Sequence, residues 1–109
     1  MCLIVSDGAG SASHGGQGAS LVCRSLTRNL HAWTARNDRL PDDEQVVIWL
    51  DGLRDRRAFI AGNRGLARRQ FAATLILLAI RGEELLALQI GDSAMVARRE
   101  GRWEAICWP

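Results

Sequence analysis

The chain has 109 residues, 48% of them hydrophobic and 24% charged, with 14 cations against 12 acids for a formal charge of +2. That length allows one domain or part of one, and that balance excludes a disordered chain, because there is enough apolar surface to build a core. All 14 cations are arginine, which reads as the codon bias of a GC-rich genome; the pairs Arg56-Arg57, Arg68-Arg69 and Arg98-Arg99 are dispersed and lack interleaved aromatics, so no nucleic-acid partner is expected.

CLIVS, at residues 2–6, opens the chain as a short buried strand that ends at the turn pair Asp7-Gly8. No basic segment precedes a long apolar run, so neither a secretion signal nor a membrane span is predicted. A glycine-rich loop follows. From about Gln17 to Arg36, Ala19, Val22, Leu26, Leu30 and Trp33 recur at helical spacing on one face. A second helix is predicted from about Asp43 to Ala61: Asp42 can cap it, Gln45 stands three residues on as in a capping box, and Val46, Leu50, Leu53 and Ile60 continue its apolar face until Gly62 and Gly65. Trp33 and Trp49 are expected to pack the helices.

Beyond Arg69 the period changes. FAATLILLAI, LLALQI, AMVARR and RWEAICW, separated by RGEE, GDS and EG, predict a four-stranded antiparallel meander from Phe71 to Trp108. Trp103 and Trp108 are expected to pack it, with Arg68 and Arg69 a solvated approach to its first strand. The first two strands are apolar on both faces, whereas a sheet with one wetted face would alternate. Both faces therefore need cover: the helices for one and, most simply, a second sheet for the other. Cys2, Cys23 and Cys107 are odd in number and form no C-x-x-C pair, which reads as reduced thiols in a cytoplasmic protein.

The glycine-rich loop raises several chemistries. A phosphate-cradling P-loop requires a lysine, and the chain has none. A dinucleotide fingerprint begins at Gly8 and Gly10, but Ser13 stands where the third glycine belongs. Ser93 in GDS has no histidine after it to activate it, since His14 and His31 both precede it. Ser11, Ser13 and His14 read as ordinary loop residues. What remains is a pair of aspartates at strand ends, Asp7 before Gly8 and Asp92 after Gly91. Carboxylates beside glycine leave room for a cation, and oxygen ligands that include the Gly8 carbonyl suit magnesium or manganese. Charge counting exposes a shortfall: two dications carry four positive charges, and two carboxylates offset half.

LIVSDGAGSA, RQFAATLILLAI and LALQIGDSAMVARREGRW, in that order, resemble the metal-dependent type 2C serine/threonine protein phosphatases, in the bacterial branch whose first motif is Asp-Gly-Ala-Gly-Ser. The resemblance implies an α/β (α+β) fold, part of a four-layer α-β-β-α sandwich with antiparallel sheets. It implies that Asp7 is the catalytic residue bridging two Mg2+ or Mn2+ ions, that Gly8 offers its carbonyl to one of them, and that Asp92 lies near a third. The implied substrate is a phosphoserine or phosphothreonine protein, with neither nucleic acid nor membrane as partner. The family also draws a phosphate-binding arginine and acids from an upstream segment, and a further acid from downstream strands. Residues 1–109 accordingly read as a partial domain lacking N-terminal and C-terminal segments. Two functions follow: phosphoprotein hydrolysis, or a catalytically dead binding or scaffold module.

Overall fold

The apolar run that opens the chain forms a strand, β1 (Cys2–Val5), in a computed structural model that describes residues 1–92 and 94–107, with only the backbone for Arg99, Ile106 and Cys107. Two long helices follow, α1 (Gly15–Arg36) and α2 (Asp43–Asn63), then a 3-10 turn (Arg68–Phe71). The remaining elements are the strands β2 (Leu75–Arg81), β3 (Glu84–Ile90), β4 (Met95–Arg99) and β5 (Arg102–Cys107). This is the mixed helix and antiparallel sheet that the spacing predicts. Trp108 and Ser93 lie outside the described residues.

Both helices begin close to the predicted positions. On α1, Leu26 and Leu30 are buried and Val22 half-buried, so the predicted stripe faces inward. Trp33 and Trp49 meet edge to face at 6.1 Å, which ties α1 to α2 as expected. The Asp42 side chain accepts the Gln45 backbone N–H at 2.9 Å and so caps α2. Asp42→Ala should cost about 1 kcal/mol of stability, read from urea unfolding, because that N–H loses its acceptor. At the other end of α1, Arg81 donates to the carbonyls of Asn37 at 2.7 Å and Thr34 at 3.4 Å, a cation set against the exposed helix carbonyls.

The sheet order is β1-β2-β3, both pairs antiparallel, with Ile4 opposite Leu77 and Leu77 opposite Leu88. Those residues share one face, and with Ala79 and Leu86 they pack against Leu26, Leu30 and Val46 from the helices. The opposite face carries Leu3, Val5, Leu78, Ile80 and Leu85, and of these Leu3, Val5 and Leu85 are about half exposed, at 49%, 52% and 58%. The double-sided apolar pattern of the sequence is thus real, and the helices cover one side of it.

The predicted meander divides. β4 and β5 pair only with each other, forming a separate two-stranded hairpin. Both tight turns use left-handed backbone: glycine supplies it at Gly82, φ +59°, between β2 and β3, whereas between β4 and β5 Gly101 at 78° is preceded by the non-glycine Glu100 at 51°. The break falls at Gly91, whose φ of +105° turns the chain away after β3. Two further expectations change. The first long strand starts at Leu75 instead of Phe71, because Arg68–Phe71 form the 3-10 turn, in which Arg68 and Arg69 are exposed as expected. Trp103 is 71% exposed and packs nothing in the hairpin, because a two-stranded ribbon has no interior to receive it.

Candidate metal centre

β1 and β3 both run antiparallel to the strand between them, so their C-terminal ends lie at the same edge of the sheet. Asp7 follows one end and Asp92 the other. At about 4.8 Å per strand their backbones stand roughly 10 Å apart, so each carboxylate addresses its own part of that edge. Both residues are exposed.

Between these ends sits Thr74, just before β2. Its N–H donates to the Asp7 carbonyl at 2.8 Å, its hydroxyl donates to the same carbonyl at 3.3 Å, and its Oγ1 accepts the Asp7 N–H at 3.2 Å. The Ser6 hydroxyl donates to the Thr74 carbonyl. On its other side Thr74 fills the space beside Gly91, where a Cβ would come within 2.8 Å of the threonine Cγ2. One side chain therefore fixes the backbone of Asp7 and limits the turn that carries Asp92. The sequence reading missed it; the only signal was a hydroxyl directly ahead of the longest apolar run. Thr74→Val keeps the contact with Gly91 and removes the hydroxyl bonds. It should cost about 1 kcal/mol of stability and weaken manganese binding several-fold, read by urea unfolding and metal titration.

Gly8 pairs with Ala73 as an isolated antiparallel bridge, and the flanking bonds run from Thr74 N–H to Asp7 and from Ala9 N–H to the Ala72 carbonyl at 2.9 Å. That pattern makes Gly8 a non-hydrogen-bonded pair position, so the ladder uses neither its N–H nor its carbonyl. Its lack of a side chain matters on the other side: a Cβ would stand 2.5 Å from the backbone of Gly15, which starts α1. The loop thus folds back until the first turn of α1 touches Gly8.

A polar network pins the loop. Ser13 donates both its N–H, at 3.1 Å, and its hydroxyl, at 2.8 Å, to Oε1 of Gln70. With its proton spent there, Ser13 Oγ accepts from Nδ1 of His14 at 2.8 Å, which requires the proton on Nδ1 and leaves Nε2 outside the network. The His14 ring stacks on Phe71 at 5.2 Å, and the His14 N–H donates to the Gln70 carbonyl at 2.7 Å. Ser13 and His14 hold the loop against the 3-10 turn, the ordinary role expected of them.

Hard oxygen donors are therefore available, from the Asp7 carboxylate and the Gly8 carbonyl, and their chemistry fits Mg2+ or Mn2+. Their number falls short, since no group of three or more His, Cys, Asp or Glu able to hold an ion occurs among the described residues. Thiolate chemistry is poorly served as well: burial pushes the Cys2 thiol above its ordinary value, against the opposing pull of the N-terminal charge, so little thiolate forms near neutrality. No helix among the described residues is long and apolar enough to cross a membrane. Neither a curated protein nor a solved structure gives a significant match to the chain. A family model described as protein phosphatase 2C matches residues 1–109.

Proposed function

The chain belongs to the protein phosphatase 2C family, and from that membership we propose that it carries part of a metal-dependent centre for hydrolysing phosphoserine or phosphothreonine in proteins. The observation that carries the reading is the strand-end arrangement in which Asp7, steadied by Thr74, stands beside a Gly8 carbonyl left free by the ladder. Asp7 and Gly8 would hold the ions, and Asp92 would contribute from the end of β3, two strands away. When bound, a pair of Mg2+ or Mn2+ ions supplies Lewis acidity towards the phosphoryl oxygens and lowers the pKa of an attacking water. The chain's own part is to fix the bridging carboxylate at a strand terminus, in the open space beyond the sheet edge, where a phosphoryl group can approach. Such a reaction requires no protein nucleophile.

A second reading is a catalytically inactive module that binds a partner. It is favoured by the lack, among the described residues, of any group of three metal-ligating side chains and by the half-exposed Leu3, Val5 and Leu85 on the open sheet face. Phosphate release from a phosphothreonine peptide separates the two. Hydrolysis that depends on added manganese and stops with a chelator is expected, and it should be slow. Hydrolysis indifferent to the chelator would overturn the metal-centre reading, and none at any manganese concentration would favour the binding module.

A further inference from the structure

A second site lies behind the strand ends, between α1, α2 and the sheet. A partly open cavity of about 210 Å3 is bordered there by Leu21, Leu50, Leu53, Phe71, Leu75 and Ile90, and its charged lining is Arg54 and Arg57 with no acid. Neither Asp7 nor Gly8 borders it. We propose that this cavity binds a small amphipathic organic monoanion, an apolar group about the size of an aromatic ring bearing one carboxylate, with Arg57 as its counter-charge.

The apolar part follows from the volume. Apolar cavities of about 150 Å3 stay dry and accept benzene, so this one has room for a ring and a short linker. The anionic part follows from Arg57. It lines the cavity and its guanidinium forms no ion pair among the described residues, while its Nε is closed off without a hydrogen-bond partner and out of a ligand's reach. Arg54, by contrast, is engaged by Asp51 at 3.4 Å. An unpaired guanidinium at an apolar wall attracts an anion, and a carboxylate is the group whose two oxygens match its outer pair of N–H donors. One uncommitted cation calls for one negative charge, which favours a monoanion over a phosphate. Access exists as well: Arg57, Leu21 and Phe71 also line the adjoining surface cleft, beside Ser20 and Arg24. An occupant would brace the ends of β2 and β3, since Ala73 and Ile90 border the cavity and immediately precede Thr74 and Gly91.

The test is a calorimetric titration of the full chain with 4-phenylbutyrate, without metal, beside the uncharged 4-phenylbutanol. Saturable one-to-one binding of the acid is expected, with the alcohol at least about tenfold weaker. Arg57→Gln should weaken the acid by about tenfold or more and leave the alcohol unchanged. Leu53→Trp should abolish binding of both by filling the cavity, whereas Leu85→Ser on the opposite sheet face should alter neither. Thermal melts would show that each variant is folded. Equal affinity of Arg57→Gln and the parent for the acid, loss of binding in Leu85→Ser, or no saturable binding below about 10 mM would each overturn the proposal. Because neither metal nor phosphate enters the measurement, such a failure would leave the metal-centre reading untouched.

Discussion

Gly18→Ala should destabilise the chain by about 2 kcal/mol, lowering its melting temperature by roughly 10 °C, although the same exchange in an open helix is stabilising. Gly18 lies inside α1 and is buried. An added Cβ would fall 1.9 Å from the Phe71 carbonyl oxygen and 2.7 Å from its carbon, and both are backbone atoms that cannot rotate away. Either the helix or the 3-10 turn must shift. The turn is tied to the glycine loop through the His14 N–H bond to Gln70 at 2.7 Å and the Ala9 N–H bond to Ala72 at 2.9 Å, so the strain spreads towards Gly8. Overpacking of this kind costs about 3 kcal/mol, and the helix-propensity gain of alanine over glycine returns about 1. Gly16 is the control. It sits two residues nearer the start of α1, nothing stands within 4 Å of its would-be Cβ, and Gly16→Ala should stabilise by up to about 1 kcal/mol. Thermal and urea unfolding of the two variants decide the matter, and a Gly18→Ala chain as stable as Gly16→Ala would refute the close approach.

These two glycines also mark how far the sequence can be read. Both look alike in GGQG, and only the tertiary approach of Phe71 from more than fifty residues away separates them. Local signals survive folding well. The Asp42 cap, the Leu26 and Leu30 stripe and the turn residues at Gly82 and Gly101 act over a few residues, and each appears where the pattern put it. Pairing does not act locally. Each run of the expected meander is a strand, but β2 takes β1 from the opposite end of the chain as its other neighbour, and the φ of +105° at Gly91 separates β4 from β3. Asp7-Gly8 by itself reads as a common turn pair, and it stands out in the sequence only through the order of motifs that follow it. Thr74 does not stand out, because its role arises only once β1 and β2 are side by side.

Asp7→Asn should remove manganese-dependent phosphate release while leaving the fold intact. The stability half of the expectation follows from where the residue is held. Its anchors are backbone bonds to Thr74, at 2.8 Å and 3.2 Å, which asparagine keeps, and its exposed side chain contributes nothing to the core. The binding half follows from charge. With no cluster of three metal-ligating side chains among the described residues, the site starts weak, and its manganese Kd should be near 1 mM, in the range of cation sites with few carboxylates. A neutral amide in place of the carboxylate removes half the anionic charge that Asp7 and Asp92 can offer, together with one of the two side-chain oxygens. Affinity should therefore fall by at least about tenfold. Asp92→Asn should do less, because its strand end is two strands away from Asp7 and the Gly8 carbonyl, the oxygens proposed to hold a cation. The measurement is a manganese titration of parent, Asp7→Asn and Asp92→Asn, followed by calorimetry and by phosphate release, with a melt of each. Unchanged affinity in Asp7→Asn would move the centre elsewhere. A larger loss in Asp92→Asn than in Asp7→Asn would make the end of β3, instead of the end of β1, the principal metal-holding strand end.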